Sequence, residues 1–330
     1  IRLFLVYLIN ACVAICTDTQ LTNDAANASK EFVSVFYAMN ISLPSFVVFS
    51  ALWYTFSKLG TQRRKVRHLL DETSLRNKDL TDSISYAEYL QNAVLPSFDE
   101  FQQTFESSFL YHRPKDIVSG DFFWKKHVGH RYYFAVCDST GHGVPGALVS
   151  FICSRALDEA IEKYKLTDPG AILAKTRELV IESFSHSDKS IKDGMDIGLC
   201  CLDKDMLLFS GARHSLYVLR DSGTIEEVKG TRQSVGYSIT DNLFTTHVLR
   251  KKSISRVFLT TDGFIDQFGG SQNKKFKANR FKQLLNKTSK LPIAKQKQVL
   301  ENIMQEWMQG YEQIDDMCVL GVDFDLASKK

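Results

Sequence analysis

The stretch from Tyr132 to Ile152, YYFAVCDSTGHGVPGALVSFI, reads as a strand, a sharp turn and a helix. Tyr132 to Cys137 is an aromatic and β-branched run suited to a buried strand. Gly141 and Gly143 permit backbone angles that other residues avoid, and Pro145 fits the first turn of a helix. Asp138 therefore stands where a strand ends. Such a place suits a catalytic group, because the strand fixes the carboxylate and the loop leaves it reachable. It equally suits an Asp that caps the turn or the following helix.

The same turn holds Gly141-x-Gly143-x-x-Gly146, the form of a dinucleotide-binding fingerprint, so a dinucleotide-binding enzyme is the competing reading. A Rossmann unit needs a second strand after its first helix, ending in an acid about 20 residues beyond the first glycine. Leu157 to Ala160 instead continue a helix, and Lys165 to Gly170 turn into another. A P-loop is excluded because no Lys-Ser/Thr pair follows the glycines. The glycines then read as a hinge between a strand end and the helix near Pro145.

Other acids repeat the pattern of Asp138. Asp121 lies in SGDFFW, Asp262 follows Val257-Phe258-Leu259-Thr260-Thr261, and Asp315-Asp316 opens the last apolar run. One such residue is usually a cap. Several on strand ends of one domain could converge into a cluster that divalent cations neutralise, and hard oxygen ligands select magnesium or manganese.

The composition narrows the function classes. Among 330 residues, 41 Lys+Arg against 38 Asp+Glu leave a net charge of +3, which gives no pull towards nucleic acid. The seven cysteines show no CxxC or Cys/His metal spacing and lie mostly in apolar runs, as reduced core residues do.

Towards the N-terminus, Ile1 to Cys16 is apolar apart from Arg2 and Asn10. It reads as the tail of a membrane helix, with the remains of a signal sequence as the alternative. Phe32 to Ser57 follows as an uncharged stretch long enough to span a bilayer, kinked at Pro44. Lys58, Arg63, Arg64, Lys65 and Arg67 come next and assign that side to the cytoplasm. From Val66 to Pro96 a charged helix carries Val66, Leu70, Thr73, Asn77, Leu80, Ile84, Ala87, Gln91 and Val94 at alternating spacings of four and three. That is a coiled-coil seam weakened by its polar members, or one amphipathic helix lying on the next domain.

Strand-like runs lie at Ser108–Tyr111, Tyr132–Cys137, Ile197–Leu202, Met206–Ser210, Ser215–Leu219, Phe244–Leu249, Val257–Thr260 and Met317–Val322. Helical stretches fall near 146–164, 169–186, 276–287 and 293–309. Runs of strands interrupted by helix pairs predict antiparallel sheets with helices packed outside.

At SGDFFW, VCDSTGHGVPGAL, DGMDIGL, LTTDGFIDQFGG and QIDDMCVLGV, in this order, the sequence resembles the SpoIIE/RsbU-type serine/threonine phosphatases, bacterial members of the metal-dependent PP2C superfamily. SISYAEYLQNAVLP resembles the helix that precedes the domain in membrane-linked members. The resemblance implies an α/β fold, an αββα sandwich with two antiparallel sheets flanked by helices, over residues 101–326. It implies nothing specific about residues 1–60, which their two apolar segments make a partial transmembrane region, with the linker helix at 61–100.

It further implies two Mn2+ or Mg2+ ions, with Asp121 and Asp138 binding or bridging them, the Ser139 carbonyl contributing, and Asp262 and Asp315 completing the site. Asp316 is the weaker candidate of its pair. His142, Asp193, Asp196 and Arg213 are secondary candidates: His142 as a ligand-orienting or turn-bonding residue, the two acids for a further metal, Arg213 as a phosphate partner. Ser210-Gly211-Ala212-Arg213-His214 departs from the glycine-histidine-proline-like turn of many relatives. The implied activity is hydrolysis of phosphoserine or phosphothreonine on a regulatory protein, such as a STAS-type anti-sigma-factor antagonist. The expected place is the bacterial inner membrane with the phosphatase in the cytoplasm; homodimerisation and regulation through the linker helix are expectations from the seam spacing, not from the resemblance. The competing class is a phosphatase-fold receptor or scaffold without catalysis.

Overall fold

The computed structural model describes residues 38–185, 192–238 and 242–324, together with positions 32 and 35. The expected helix at 1–16 lies outside these residues. The chain divides into two compact units, Ile1–Leu80 and Thr81–Lys330.

Helix α1 runs unbroken from Leu43 to Val94 after a π-helical turn, Ala38–Ser42. The apolar stretch and the charged stretch that the sequence separates are therefore one helix. Pro44 lies in its first turn, directly after the π-helical turn. Among the described residues one helical stretch, Met39–Thr104, is long and apolar enough to cross a membrane. Phe46, Phe49, Trp53 and Phe56 are about two-thirds exposed along it.

Within the second unit a short helix α2 (Phe98–Thr104) starts at Ser97, whose hydroxyl accepts from the Asp99 N–H. Then come β1 (Ser108–Arg113), β2 (Asp121–Val128), β3 (Arg131–Ser139), α3 (Gly143–Glu162), α4 (Pro169–Phe184), β4 (Gly194–Asp203), β5 (Met206–Ala212), β6 (Leu216–Arg220), β7 (Ile225–Val228), β8 (Val235–Gly236), β9 (His247–Arg250) and β10 (Ile254–Thr260). The chain continues through α5 (Asp262–Asp266), β11 (Phe268–Gly269), β12 (Lys274–Lys275), α6 (Ala278–Thr288), α7 (Ile293–Met308) and β13 (Met317–Asp323).

The described strands form two large antiparallel sheets, one ordered β1-β13-β10-β6-β7 and the other β2-β3-β4-β5-β9 with β8 on β4, beside a small β11–β12 pair. Period-2 alternation divides each central strand between two cores. Phe134 and Val136 of β3 meet Leu320 and Val322 of β13 between the sheets, with Phe209 and Leu259. Tyr133, Ala135 and Cys137 point the other way, against Cys153 and Leu157 of α3 and Ile172 of α4. Met317 and Val319 pack outward against Phe281, Leu300 and Met304 of α6 and α7. The layers are α, β, β and α, as expected. Cys137, Cys153, Cys200, Cys201 and Cys318 are free and buried in these cores.

The Rossmann alternative fails here: β3 and β4, joined through α3 and α4, pair antiparallel, whereas that fold requires a parallel crossover. Gly141 and Gly143 take φ of +86° and +64° in the turn between β3 and α3. A Cβ on Gly120 or Gly146 would overlap the Gly141 carbonyl, so they let three backbone segments close around one oxygen.

Candidate active site

The acids sit at one end of the sandwich. Asp121 opens β2 and pairs in register with Asp138 near the end of β3, which in turn pairs with Asp196 of β4. From the other sheet, Asp262 follows β10 as the first residue of α5, and Asp315 lies just before β13. Asp138, Asp196, Asp262 and Asp315 line one cleft of about 270 Å³ with Ser139, Lys192, Arg213 and Tyr237. The Lys192 ammonium stands 4.9 Å from the Tyr237 ring centroid.

Asp121 lies behind this cleft, only 3% exposed, and its Oδ2 accepts from Thr261 Oγ1 at 2.6 Å. Burial, and then the facing Asp138 charge, push its carboxyl well above the ordinary range. Burial followed by Asp138 and Asp315 push Asp262 up to about 7. Asp315 and Asp196 are raised as well, by burial first and Asp138 among the further causes. These acids repel one another in a partly dry site with little cationic compensation.

Among the described residues, no three His, Cys, Asp or Glu side chains already close on one point as a ligand shell. The carboxylates surround a cleft instead. Hard oxygen donors carrying mutually repelling charge fit a divalent cation such as Mg2+ or Mn2+.

The remaining candidates separate. Asp316 is buried and its two carboxylate oxygens accept from the Lys115 and Gly120 amides, both at 2.7 Å, which ties the entry of β2 to the entry of β13. Asp193 is not among the residues lining the cleft. His142 stands at the N-cap of α3 without capping it. Its Nδ1 lies 2.7 Å from Asp116 Oδ2 and its Nε2 3.0 Å from Lys115 Nζ, so it joins side chains, not the backbone of the turn. The Ser139 hydroxyl is occupied, donating to the carbonyls of Gly120 at 2.7 Å and Gly146 at 2.9 Å.

Two residues near the site escape a sequence reading of roles. Gln91 is buried instead of lying on an exposed seam. Its Nε2 donates to Ser119 O at 2.7 Å and to Ser150 Oγ at 3.2 Å, while its Oε1 accepts from the Ser119 N–H. It thus links the end of α1 to the segment before Asp121 and to α3. His214, from the β5–β6 turn, is buried with its Nε2 3.8 Å from Asp138 Oδ2. The only sequence signal for it was the departure of that turn from the resembling pattern.

Comparison with known proteins agrees with this architecture. Residues 128–325 match the family model of stage II sporulation protein E (SpoIIE). The chain is similar to the solved SiaA PP2C domain of Pseudomonas aeruginosa, at 32% identity and TM-score 0.68, covering 76% of this chain and 99% of that one. It is also similar to the PP2C domain with a regulatory fragment of SpoIIE from Bacillus subtilis, at 16% identity and TM-score 0.53, covering 66% and 63%. A point mutant of a bacterial serine phosphatase matches at 13% identity and TM-score 0.52, covering 66% and 98%. The last two show the fold alone. A search of curated proteins gave no match. The chain belongs to the SpoIIE family, and its sandwich is a PP2C-type protein serine/threonine phosphatase domain.

Proposed function

We propose that the domain, over residues 101–326, hydrolyses phosphoserine or phosphothreonine on a regulatory protein with two Mn2+ or Mg2+ ions. Asp121, Asp138, Asp262, Asp315 and the Ser139 carbonyl would hold them. The supporting observation is the meeting of Asp138, Asp262 and Asp315, from both sheets, at one cleft with Asp121 behind it. When bound, such ions activate water near neutral pH and neutralise charge on the transferring phosphoryl group.

The protein's own residues prepare that chemistry. Asp138 and Asp121 are fixed by strand pairing, and Thr261 orients the Asp121 carboxylate. Lys192 and Arg213 bring positive charge to the mouth of an otherwise acidic cleft, where a phosphate dianion can be held. No side-chain nucleophile is required: the Ser139 hydroxyl is engaged twice and Cys137 is fully buried.

The resemblance to membrane-linked relatives extends the reading outward. The exposed aromatic part of α1 would lie in the bacterial inner membrane, with Lys58 to Arg67 on the cytoplasmic side. The exposed Val66, Leu70 and Leu80 would offer a homodimer seam over the linker, and the substrate would be a small phosphoprotein of the STAS type. Hydrolysis of a phosphoserine peptide during Mn2+ titration tests the core of this reading. Activity that needs the metal and disappears in Asp262→Asn supports it; metal-independent turnover refutes it.

A further inference from the structure

A buried imidazole with neither nitrogen paired is costly, since each nitrogen has given up water without gaining a partner. His214 is in that condition: it is 7% exposed, and neither Nδ1 nor Nε2 has a hydrogen-bond partner among the described residues. It is also firmly held. The Arg213 N–H donates to Thr231 O at 2.8 Å, and the His214 N–H to Ala212 O at 2.7 Å, across a turn in which Arg213 has φ +58°. Gly211 and Gly230 close on the His214 carbonyl so tightly that a Cβ on either would overlap it. A left-handed non-glycine residue and two close-packed glycines thus serve to drive one imidazole towards the acids.

Nε2 faces Asp138 Oδ2 at 3.8 Å, an ion-pair separation that a shift of about 1 Å turns into a hydrogen bond.

We propose that His214 is a positioning residue for the metal site: its Nε2–H donates to Asp138 Oδ2 and fixes the orientation in which that carboxylate meets the cations. The imidazole acts through Asp138 and contacts neither cation nor substrate. This rests on the assignment of Asp138 as a metal ligand. Partners of this kind, which orient a ligand from behind, typically contribute roughly 10–100-fold in metal affinity.

The test uses the full chain and Mn2+ alone, with free Mn2+ read by its electron paramagnetic resonance signal, beside kcat and KM for a phosphoserine peptide. His214→Leu should bind Mn2+ roughly 10–100-fold more weakly, with kcat lowered at saturating metal and KM for peptide little changed. His214→Gln places an amide N–H near Nε2 and should recover most of the affinity. His214→Asn places it near Nδ1 and should not. If His214→Leu does not fold, the Gln and Asn pair carries the comparison alone. Wild-type affinity in the Leu variant, or equal affinity in the Gln and Asn variants, overturns the positioning role while leaving the phosphatase site intact. Failure of the wild-type chain to bind Mn2+ overturns the metal site itself.

Discussion

Asp121 and Asp138 face each other directly across the antiparallel β2–β3 pair, and Asp196 faces Asp138 from the next strand. Like charges opposite one another destabilise a sheet, so this row is a cost that the fold carries at one end. Asp138→Asn should therefore melt higher than the wild type in EDTA, because it removes the charge common to the shifts of Asp121, Asp262 and Asp315. The same variant should lose hydrolysis by on the order of 10³-fold, equivalent to the several kcal/mol that metal ions contribute to such reactions. Calorimetry and phosphopeptide turnover on one preparation check both halves. A variant that melts lower without metal, or turns over normally, refutes the assignment.

The pH dependence of the metal-free protein follows from the same cluster. A carboxyl with a higher pKa folded than unfolded keeps its proton longer in the folded state, so stability falls as pH rises between the two values. Asp262 is pushed up to about 7 from 3.8. In EDTA the melting temperature should decline from about pH 4 to about pH 7. Saturating Mg2+ should raise it more at the upper end of that range than at the lower, because the cation replaces the lost protons. A flat EDTA profile refutes the repulsion.

Gln91 gives a stability prediction outside the acids. Gln91→Leu fits the space approximately but leaves the Ser119 N–H and carbonyl and the Ser150 hydroxyl without that partner. Buried groups left unpaired cost about 1–3 kcal/mol, and each kcal/mol moves the midpoint by roughly 2–4 °C in a domain of this size. Ser119 immediately precedes Gly120 and Asp121, so Mn2+ affinity should fall as well. Thermal melting with Mn2+ titration checks this, and an unchanged melting temperature excludes the clasp.

The acids were readable because each follows or precedes a short apolar run, a local pattern. The apolar runs of β3 and β13 likewise read as strands. β2 was hidden because Lys125, Lys126 and His127 break its apolar run. In the fold Lys125 pairs with Glu100, and Lys126 with Asp158 and Glu162, partners that no local window contains. Gln91 read as a polar seam position because its spacing is helical, whereas its burial depends on Ser119 and Ser150. His214 was invisible for the same reason. Its meaning lies in Asp138, which only the β3–β4–β5 pairing brings near.

Arg213 separates strain from chemistry. Its φ of +58° is disfavoured for any residue with a Cβ, and its guanidinium Nε stands 3.9 Å from Asp196 Oδ1 at the mouth of the cleft. Arg213→Gly removes both the strain and the side chain, while Arg213→Ala removes only the side chain. The Gly variant should therefore be more stable than the Ala variant by about 1 kcal/mol. If the guanidinium holds phosphate, both should lose a similar factor in kcat/KM, on the order of 10-fold, for a charge-assisted contact at an exposed position. Chemical denaturation and peptide kinetics on the two variants check this. Equal stability refutes the strain, and unchanged kcat/KM in both refutes the phosphate contact. Activity lost only in the Gly variant would show that the fixed turn matters more than the arginine it carries.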